Sequence, residues 1–445
     1  MKGSCFGEIS QWVKQMHESS RSAAKVSSGE RRYAGCRKDL VGGLCIETAC
    51  WGLVRKERKK KRKWHSLIDK VWNWKNLNEA WEKVKQNRGA GGIDDVSIEE
   101  FERNLEQNLN EIQRLLRQDR YVPKPVKRVY IPKPDGKQRP LGIPTIRDRV
   151  VQQALKNVIE PIFEAEFRDS SFGYRPGKSA KQAIEQIETV RDEGHEWVVD
   201  ADIKAFFDTV NHEKLIDAVA ERISDGRVLR LIRAFLEADV MEEGQGRAKN
   251  VIGTPQGGVI SPLLAKIYLH YFDKRMAELG YEVVRYADDF LVLCGSEEEA
   301  EEAISHVKEI LEELELTLHP QKTKIKNFSE GVDFLGFTVY VSHKVPRKDA
   351  IKKYKEAVRR ATRRNLPINL EMVIQRLNPI VIGWGNYFKI ANVNWQYKGL
   401  DGWTRMRLRA FKEKRKSYNS NRRILNAFLK NLGLKSLSSL LNPAW

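Results

Sequence analysis

A chain of 445 residues with 41% hydrophobic content is long enough for two or three packed domains. No run approaches the roughly 20 apolar residues that a membrane span needs, and the N-terminus lacks the apolar core of a signal peptide, so a cytoplasmic protein without a membrane partner is expected. The formal charge is +19, and all of the excess sits in residues 341–445, where 24 Lys and Arg face 5 Asp and Glu; residues 1–340 hold 55 of each. Such an imbalance points to a polyanionic partner.

Residues 1–63 are polar, lack sustained periodicity and end in the basic run Arg55–Lys63, which predicts a loosely ordered extension. Cys5, Cys36, Cys45 and Cys50 all lie there. The chain's odd total of five cysteines and the spacing of these four imply free thiols; Cys36, Cys45 and Cys50 lack the paired geometry of a zinc ribbon. From Trp64 helical spacing sets in, with Leu67, Ile68, Val71, Trp72 and Trp74 followed by Leu77, Ala80, Trp81 and Val84. The glycine-rich stretch Asn87–Asp94 lacks the Lys-Ser/Thr ending of a P-loop and is expected to be a plain flexible loop.

Further on, Glu196–Ile203, Glu282–Tyr286 and Phe290–Cys294 read as buried strands, the last two joined by Ala287-Asp288-Asp289 as a hairpin with two acids at its tip. Ser261-Pro262 reads as a cap and first turn before a helix carrying Leu263, Leu264, Ile267, Phe272 and Met276, and Glu298–Leu314 as an acidic amphipathic helix. The expected class is α+β. Asp202 at the end of one apolar strand and Asp288-Asp289 in a turn between two others would be costly to bury without counter-charge. Two Mg²⁺ ions held for phosphoryl or nucleotidyl transfer would supply it. An Asp-Asp pair in a turn, taken alone, is more often just a turn.

Several segments match one family in order. Tyr286-Ala287-Asp288-Asp289 resembles the Tyr-x-Asp-Asp signature of reverse transcriptases, and Asp202-Ile203-Lys204-Ala205-Phe206-Phe207-Asp208 the segment supplying their third metal-binding aspartate. Gly253–Pro262 is similar to their Pro-Gln-Gly loop and following helix. Ile131–Pro144 is similar to the fingers segment of group II intron enzymes, and Leu377–Phe388 to the maturase-specific segment of group II intron proteins. The resemblance runs from about Trp64 to beyond Phe411. It implies a right-hand polymerase, with fingers and an antiparallel palm sheet over 64–340 and an α-helical thumb/maturase domain over 341–445.

The same resemblance implies site residues. Asp202, Ile203, Asp288 and Asp289 stand at the two Mg²⁺ ions, the three aspartates being catalytic. Lys133 and Arg139 neutralise the triphosphate of the dNTP, and Gln256 shapes the nucleotide site. Phe207 lies against the sugar and excludes a 2′-hydroxyl, with Phe206 as its core neighbour. Lys322 donates a proton to departing pyrophosphate. Phe334-Leu335-Gly336-Phe337 is similar to the hairpin that grips the primer end, and Ser171–Pro176 to a stretch near the template.

Beyond Val341, basic amphipathic helices carry Lys352, Lys353, Arg359, Arg360, Arg363 and Arg364, then Arg405, Arg407 and Arg409, as candidate RNA-binding residues. The implied partners are the group II intron RNA, an RNA template with a DNA or RNA primer, target DNA and dNTPs, and the implied roles are splicing and mobility. A host-adapted enzyme in DNA repair or phage defence, or a splicing-only maturase, are the alternatives. Two departures stand out. Asp95 occupies a position where relatives often have glycine, and no Cys/His or His-Asn-His cluster follows the maturase region, so a chain without the DNA-cutting domain is expected.

Overall fold

The computed structural model describes residues 62–132, 136, 138–242, 246–248, 250, 252–414 and 424–441. The four N-terminal cysteines, most of the basic run and Lys133 lie outside them. Residues 60–445 form one unit.

The unit begins where the Trp64 N–H donates to the Arg222 carbonyl. Nearby, Asp225 accepts from the backbone of both Leu67 and Ile68 while capping a later helix at Arg227 and Val228. Helices α1 (Ile68–Val71), α2 (Trp74–Gln86), α3 (Ile98–Arg103) and α4 (Leu105–Arg117) turn their apolar faces onto α5 (Ile146–Glu164), whose Val150, Val151, Ala154, Leu155 and Ile159 are fully buried. Between α4 and α5 the antiparallel pair β1 (Val126–Pro132) and β2 (Gln138–Ile143) is extended by β4 (Val240–Glu242), parallel to β1, and β5 (Gly246–Ala248). The glycine-rich loop is pinned rather than loose: Arg149 donates to the carbonyls of Ala90 and Pro144. Asp95 holds a left-handed φ of +51°, which asparagine, aspartate and glycine tolerate best, and pairs with Lys127.

The second sheet, in order β6 (Glu282–Tyr286), β7 (Asp289–Cys294), β3 (Trp197–Asp202), β8 (Lys324–Asn327), is antiparallel throughout. Its strands read as continuous apolar runs because both faces are covered. Period-two alternation divides them. Val199, Ala201, Phe290, Val292 and Cys294 join the core with α10 (Ser261–Glu278) and α11 (Glu297–Glu313), while Val198, Val284, Leu291 and Leu293 face α6 (Ala180–Asp192) and a hairpin of β9 (Val332–Phe334) and β10 (Phe337–Val339). Cys294 is buried and unpaired. The short helix α7 (Phe206–Thr209) follows β3, and α8 (His212–Ala220) and α9 (Gly226–Leu236) lead to β4. Ser261 is not the cap that its position suggests. Ile260 occupies that place, and the Ser261 hydroxyl donates to the Pro255 carbonyl at 2.9 Å, fastening the helix to the loop before it.

After β11 (Lys344–Pro346), helices α12 (Lys348–Ala361), α13 (Leu370–Phe388), α14 (Asn394–Lys412) and α15 (Asn426–Asn431) build a separate core around Tyr354, Leu377, Tyr397 and Leu408. Among the described residues no helix is long and apolar enough to cross a membrane.

His270 on α10 is buried, its ring set edge-on to Phe167 at 5.4 Å, with no hydrogen bond at either nitrogen. Burial first, and then Lys274, push its pKa from the ordinary 6.5 down to about 4. The folded state thus resists charging a group that the unfolded chain charges freely, so stability should fall as pH drops from about 6.5 and level off near 4, by at most about 3 kcal/mol. Thermal melts at pH 7 and pH 4.5 should show this slope reduced in His270→Leu; an unchanged slope would assign it to other groups.

Candidate active site

The β3–β7 register sets Asp202 directly opposite Asp289, which on its other side faces Tyr286 across the β6–β7 hairpin. The turn carries Asp288 and strains Ala287 into φ +62°. Two devices hold it there. Arg285, buried in β6, donates from Nε to Asp273 of α10 at 2.7 Å, makes a second bond to the same carboxylate, and from Nη1 reaches the Ala287 carbonyl at 2.8 Å. On the outer side the chain at Ser170–Phe172 lies along β6, with Phe172 N–H donating to Arg285 O at 2.8 Å and Arg285 N–H to Ser170 O at 2.9 Å. This brings Gly173 against the turn so closely that an added Cβ would lie 2.3 Å from the Ala287 nitrogen, which only glycine permits.

Like charge accumulates at the turn. Burial, reinforced by Asp202, Asp288 and Asp200, pushes Asp289 up to about 6, and burial together with Asp202 raises Asp288. Solvent still reaches Asp289. Lys322 is ion-paired with Asp202, and that bond raises the lysine's own pKa. Lys326 pairs with Asp200 at 2.8 Å. Three carboxylates sharing one ammonium have the donor chemistry of a hard divalent cation site. Among the described residues no three His, Cys, Asp or Glu side chains converge into a complete metal shell, so a cation here would take further oxygens from backbone, water or substrate.

Several flanking residues gather around a pocket between β2 and α7. Phe207 is half-buried and packs edge-on against the buried Phe206 at 5.2 Å. Gln256 donates to Asp208 at 3.2 Å, and its carbonyl accepts from the Gly142 N–H of β2 at 2.6 Å. Gly257, at φ +116°, allows this contact, because a Cβ would lie 2.4 Å from the Gly142 carbonyl. Arg128, Gly142, Phe207, Asp208 and Gln256 thereby line one pocket. Arg139 is exposed on β2, and its charge acts on both Asp288 and Tyr174. Ile203 is buried, which leaves its backbone carbonyl as the group it could offer.

In the C-terminal region Lys352, Lys353, Arg359 and Arg360 on α12 and Arg363 and Arg364 in the loop after it are exposed, and Arg405 on α14 is half-buried. Arg359 also lies over the Trp403 ring at 5.6 Å. Arg407 and Arg409 are spent inside the protein. Arg407 donates to the Thr362 hydroxyl and carbonyl, both at 3.2 Å; Arg409 is buried, donating to Ile424 O at 2.9 Å and Asn426 Oδ1 at 2.7 Å. The turn Leu335-Gly336 between β9 and β10 is held by the Tyr387 hydroxyl, which donates to Leu335 O at 2.8 Å.

Sequence reading missed Arg285, Asp273 and Lys266. A signal existed for all three, since each is a charged residue inside an otherwise apolar strand or helix, where burial demands a partner.

An antiparallel sheet bearing an acidic hairpin, with a second sheet and its helices on one side and a helical domain after it, defines the class of right-hand polymerases. Residues 131–339 match the family described as reverse transcriptase (RNA-dependent DNA polymerase), and residues 351–429 match the group II intron maturase-specific domain. Protein YkfC of Escherichia coli K12 is 33% identical over 338 residues, covering 67% of this chain and 87% of that protein. The group II intron-encoded protein LtrA of Lactococcus lactis subsp. cremoris is 32% identical over 344 residues, covering 62% of this chain, and this chain spans 57% of its length. A solved partial Cas6-RT-Cas1–Cas2 complex aligns with a TM-score of 0.37 at 25% identity, over 56% of this chain and 43% of that one.

The chain belongs to the group II intron reverse transcriptase/maturase family. Its reverse transcriptase region is that of an RNA-directed DNA polymerase, and the maturase region ties it to intron splicing and mobility. The family works with divalent metal ions and binds intron RNA and nucleic-acid substrates.

Proposed function

We propose that the chain extends a DNA or RNA primer on an RNA template with dNTPs, at two Mg²⁺ ions held by Asp202, Asp288, Asp289 and the Ile203 carbonyl. The observation that carries this is the register of Asp202 against Asp289, with Asp288 at the strained turn beside them; burial, reinforced by these neighbouring carboxylates, lifts Asp289 to about 6. Magnesium bound there supplies activation of the primer 3′-hydroxyl and neutralises charge on the phosphates. Arg139, with Lys133, takes the triphosphate of the incoming nucleotide. Lys322, protonated at neutral pH like any lysine and held at the site by Asp202, passes a proton to departing pyrophosphate. Gln256 and Asp208 shape the pocket beneath the nucleotide, and Phe207 closes it against a 2′-hydroxyl. Phe207→Ala is therefore expected to admit ribonucleotides, measured as a rise of at least about tenfold in NTP over dNTP incorporation; an unchanged ratio would assign the discrimination elsewhere.

The RNA partner is the group II intron, bound through Lys352, Lys353, Arg359, Arg360, Arg363, Arg364 and Arg405, with target DNA engaged during mobility, in the cytoplasm. Replacing Arg359, Arg360, Arg363 and Arg364 by alanine should lower the steepness of the log affinity against log salt relation by about 3, because each phosphate contact contributes about 0.7 to 0.9. Filter binding across a salt series measures this. A slope that stays constant would place the RNA on another face.

A further inference from the structure

The segment that carries Phe207 cannot hold its own place. Helix α7 is four residues long, begins after Ala205 at a left-handed φ of +48°, has no side-chain cap, and is far too short to be stable alone. What fixes it is the loop before α10. The Thr254 N–H donates to the Phe207 carbonyl at 2.7 Å and the Gly253 N–H to the Val210 carbonyl at 2.9 Å. Gly253 permits this approach, since its φ is +86° and an added Cβ would lie 2.7 Å from the Phe207 carbonyl oxygen. The loop in turn is clasped by His212, the first residue of α8 and 7% exposed, whose Nε2 meets the Gly253 carbonyl at 2.6 Å. A carbonyl only accepts, so Nε2 carries the proton and donates. Asn250 adds a longer bond to the same oxygen at 3.4 Å. Phe207, Gly253, Thr254 and Gln256 line one pocket.

We propose that His212 is a specificity-determining residue of the polymerase site, a positioning residue whose bond to Gly253 fixes the stance of Phe207 and with it the selection of deoxyribonucleotides. The proposal rests on the reading of Phe207 as the group that closes the pocket against a 2′-hydroxyl. Excluding a single oxygen by bulk depends on the ring standing within a fraction of an ångström of its proper place. That place is inherited from a backbone tied to the loop by two bonds, and Gly253 makes one of them and receives His212. Without the imidazole the Gly253 carbonyl loses its better donor, and the loop must shift to recover one. The shift passes to Phe207 through the Gly253 and Thr254 bonds. An NTP then gains room for its 2′-hydroxyl, and a dNTP, which has none, gains nothing.

The test is steady-state primer extension on an RNA template, comparing a dNTP with the matching NTP in His212→Leu, His212→Gln, Phe207→Ala and the double variant His212→Leu/Phe207→Ala. His212→Leu should raise NTP over dNTP incorporation about fivefold, the order that one buried hydrogen bond supports, through a lower KM for NTP. His212→Gln places an amide N–H where Nε2 stood and should restore the parental ratio. In the Phe207→Ala background His212→Leu should add nothing, because the ring it positions is gone. A parental ratio in folded His212→Leu would overturn the proposal, as would an equal rise in the Phe207→Ala background. An equal fall in dNTP and NTP use, with the ratio constant, would mark His212 as merely structural and likewise overturn it. If His212→Leu does not fold, His212→Asn, whose amide is too short to reach the carbonyl, is read in its place. A parental ratio in Phe207→Ala would instead overturn the reading of Phe207 itself, and the proposal with it.

Discussion

Replacing Asp288 and Asp289 together by asparagine is expected to abolish primer extension, by about ten-thousand-fold or more, while leaving the protein folded. Neutral amides keep the turn's shape and remove the charge that would hold the cation and, through it, the reacting phosphates; a loss of this size corresponds to about 5.5 kcal/mol of barrier. The two effects can be separated by stability. Asp289 has a folded pKa of about 6 against an ordinary 3.8, so its ionised form weakens the metal-free fold. The penalty sets in as pH rises through 3.8 and is complete above 6. In metal-free buffer at pH 7 the double variant should therefore melt slightly above the parent, by the equivalent of about 1 kcal/mol once solvent screening at this open site is allowed for. The gain should vanish near pH 3.5. An inactive variant that melts well below the parent would point to collapse of the turn; an active one would move the metal site elsewhere.

The second large effect concerns the buried pair Arg285–Asp273. Arg285→Met leaves Asp273 without its buried counter-charge and should cost about 3 to 5 kcal/mol, read from denaturant melts. Adding Asp273→Leu removes the orphaned charge, and the double variant should recover to within about 1 kcal/mol of the parent. Activity should not recover with it. Arg285 also donates to the Ala287 carbonyl, and the substitution removes that hold on Ala287, which sits at φ +62° beside Asp288. A stable double variant with kcat down by at least about tenfold would assign Arg285 as a positioning residue. Full activity would show that the Gly173 contact alone fixes the turn.

The elements that carry the chemistry were legible because they are local. β3, β6 and β7 were predicted within a residue of where they lie, since apolar runs bounded by turn residues declare a buried strand. α11 announces itself through Ser296, which caps it by accepting from the Glu299 N–H. The predicted cap at Ser261 failed for a reason outside that segment: its hydroxyl is drawn to Pro255 by the fold of the preceding loop. Likewise the glycine-rich loop, flexible by composition, is fixed by Arg149, some sixty residues away.

By itself, then, the sequence determined the three aspartates, the strands that carry them, the family likeness and the concentration of positive charge in the last quarter of the chain. Each of these depends on residue type and on spacing within a few positions. Only the tertiary structure decided what the charges do. It placed Lys322 on Asp202, joined Arg285 to Asp273, and withdrew Arg409 from the basic surface to hold Ile424 and Asn426. It also buried Lys266 against the Tyr174 carbonyl, fastening the turn that packs on the acidic hairpin. The physical reason is that a charge in water has no fixed partner, whereas a charge removed from water must find one, and that partner is chosen by packing across distances in sequence that no local pattern encodes.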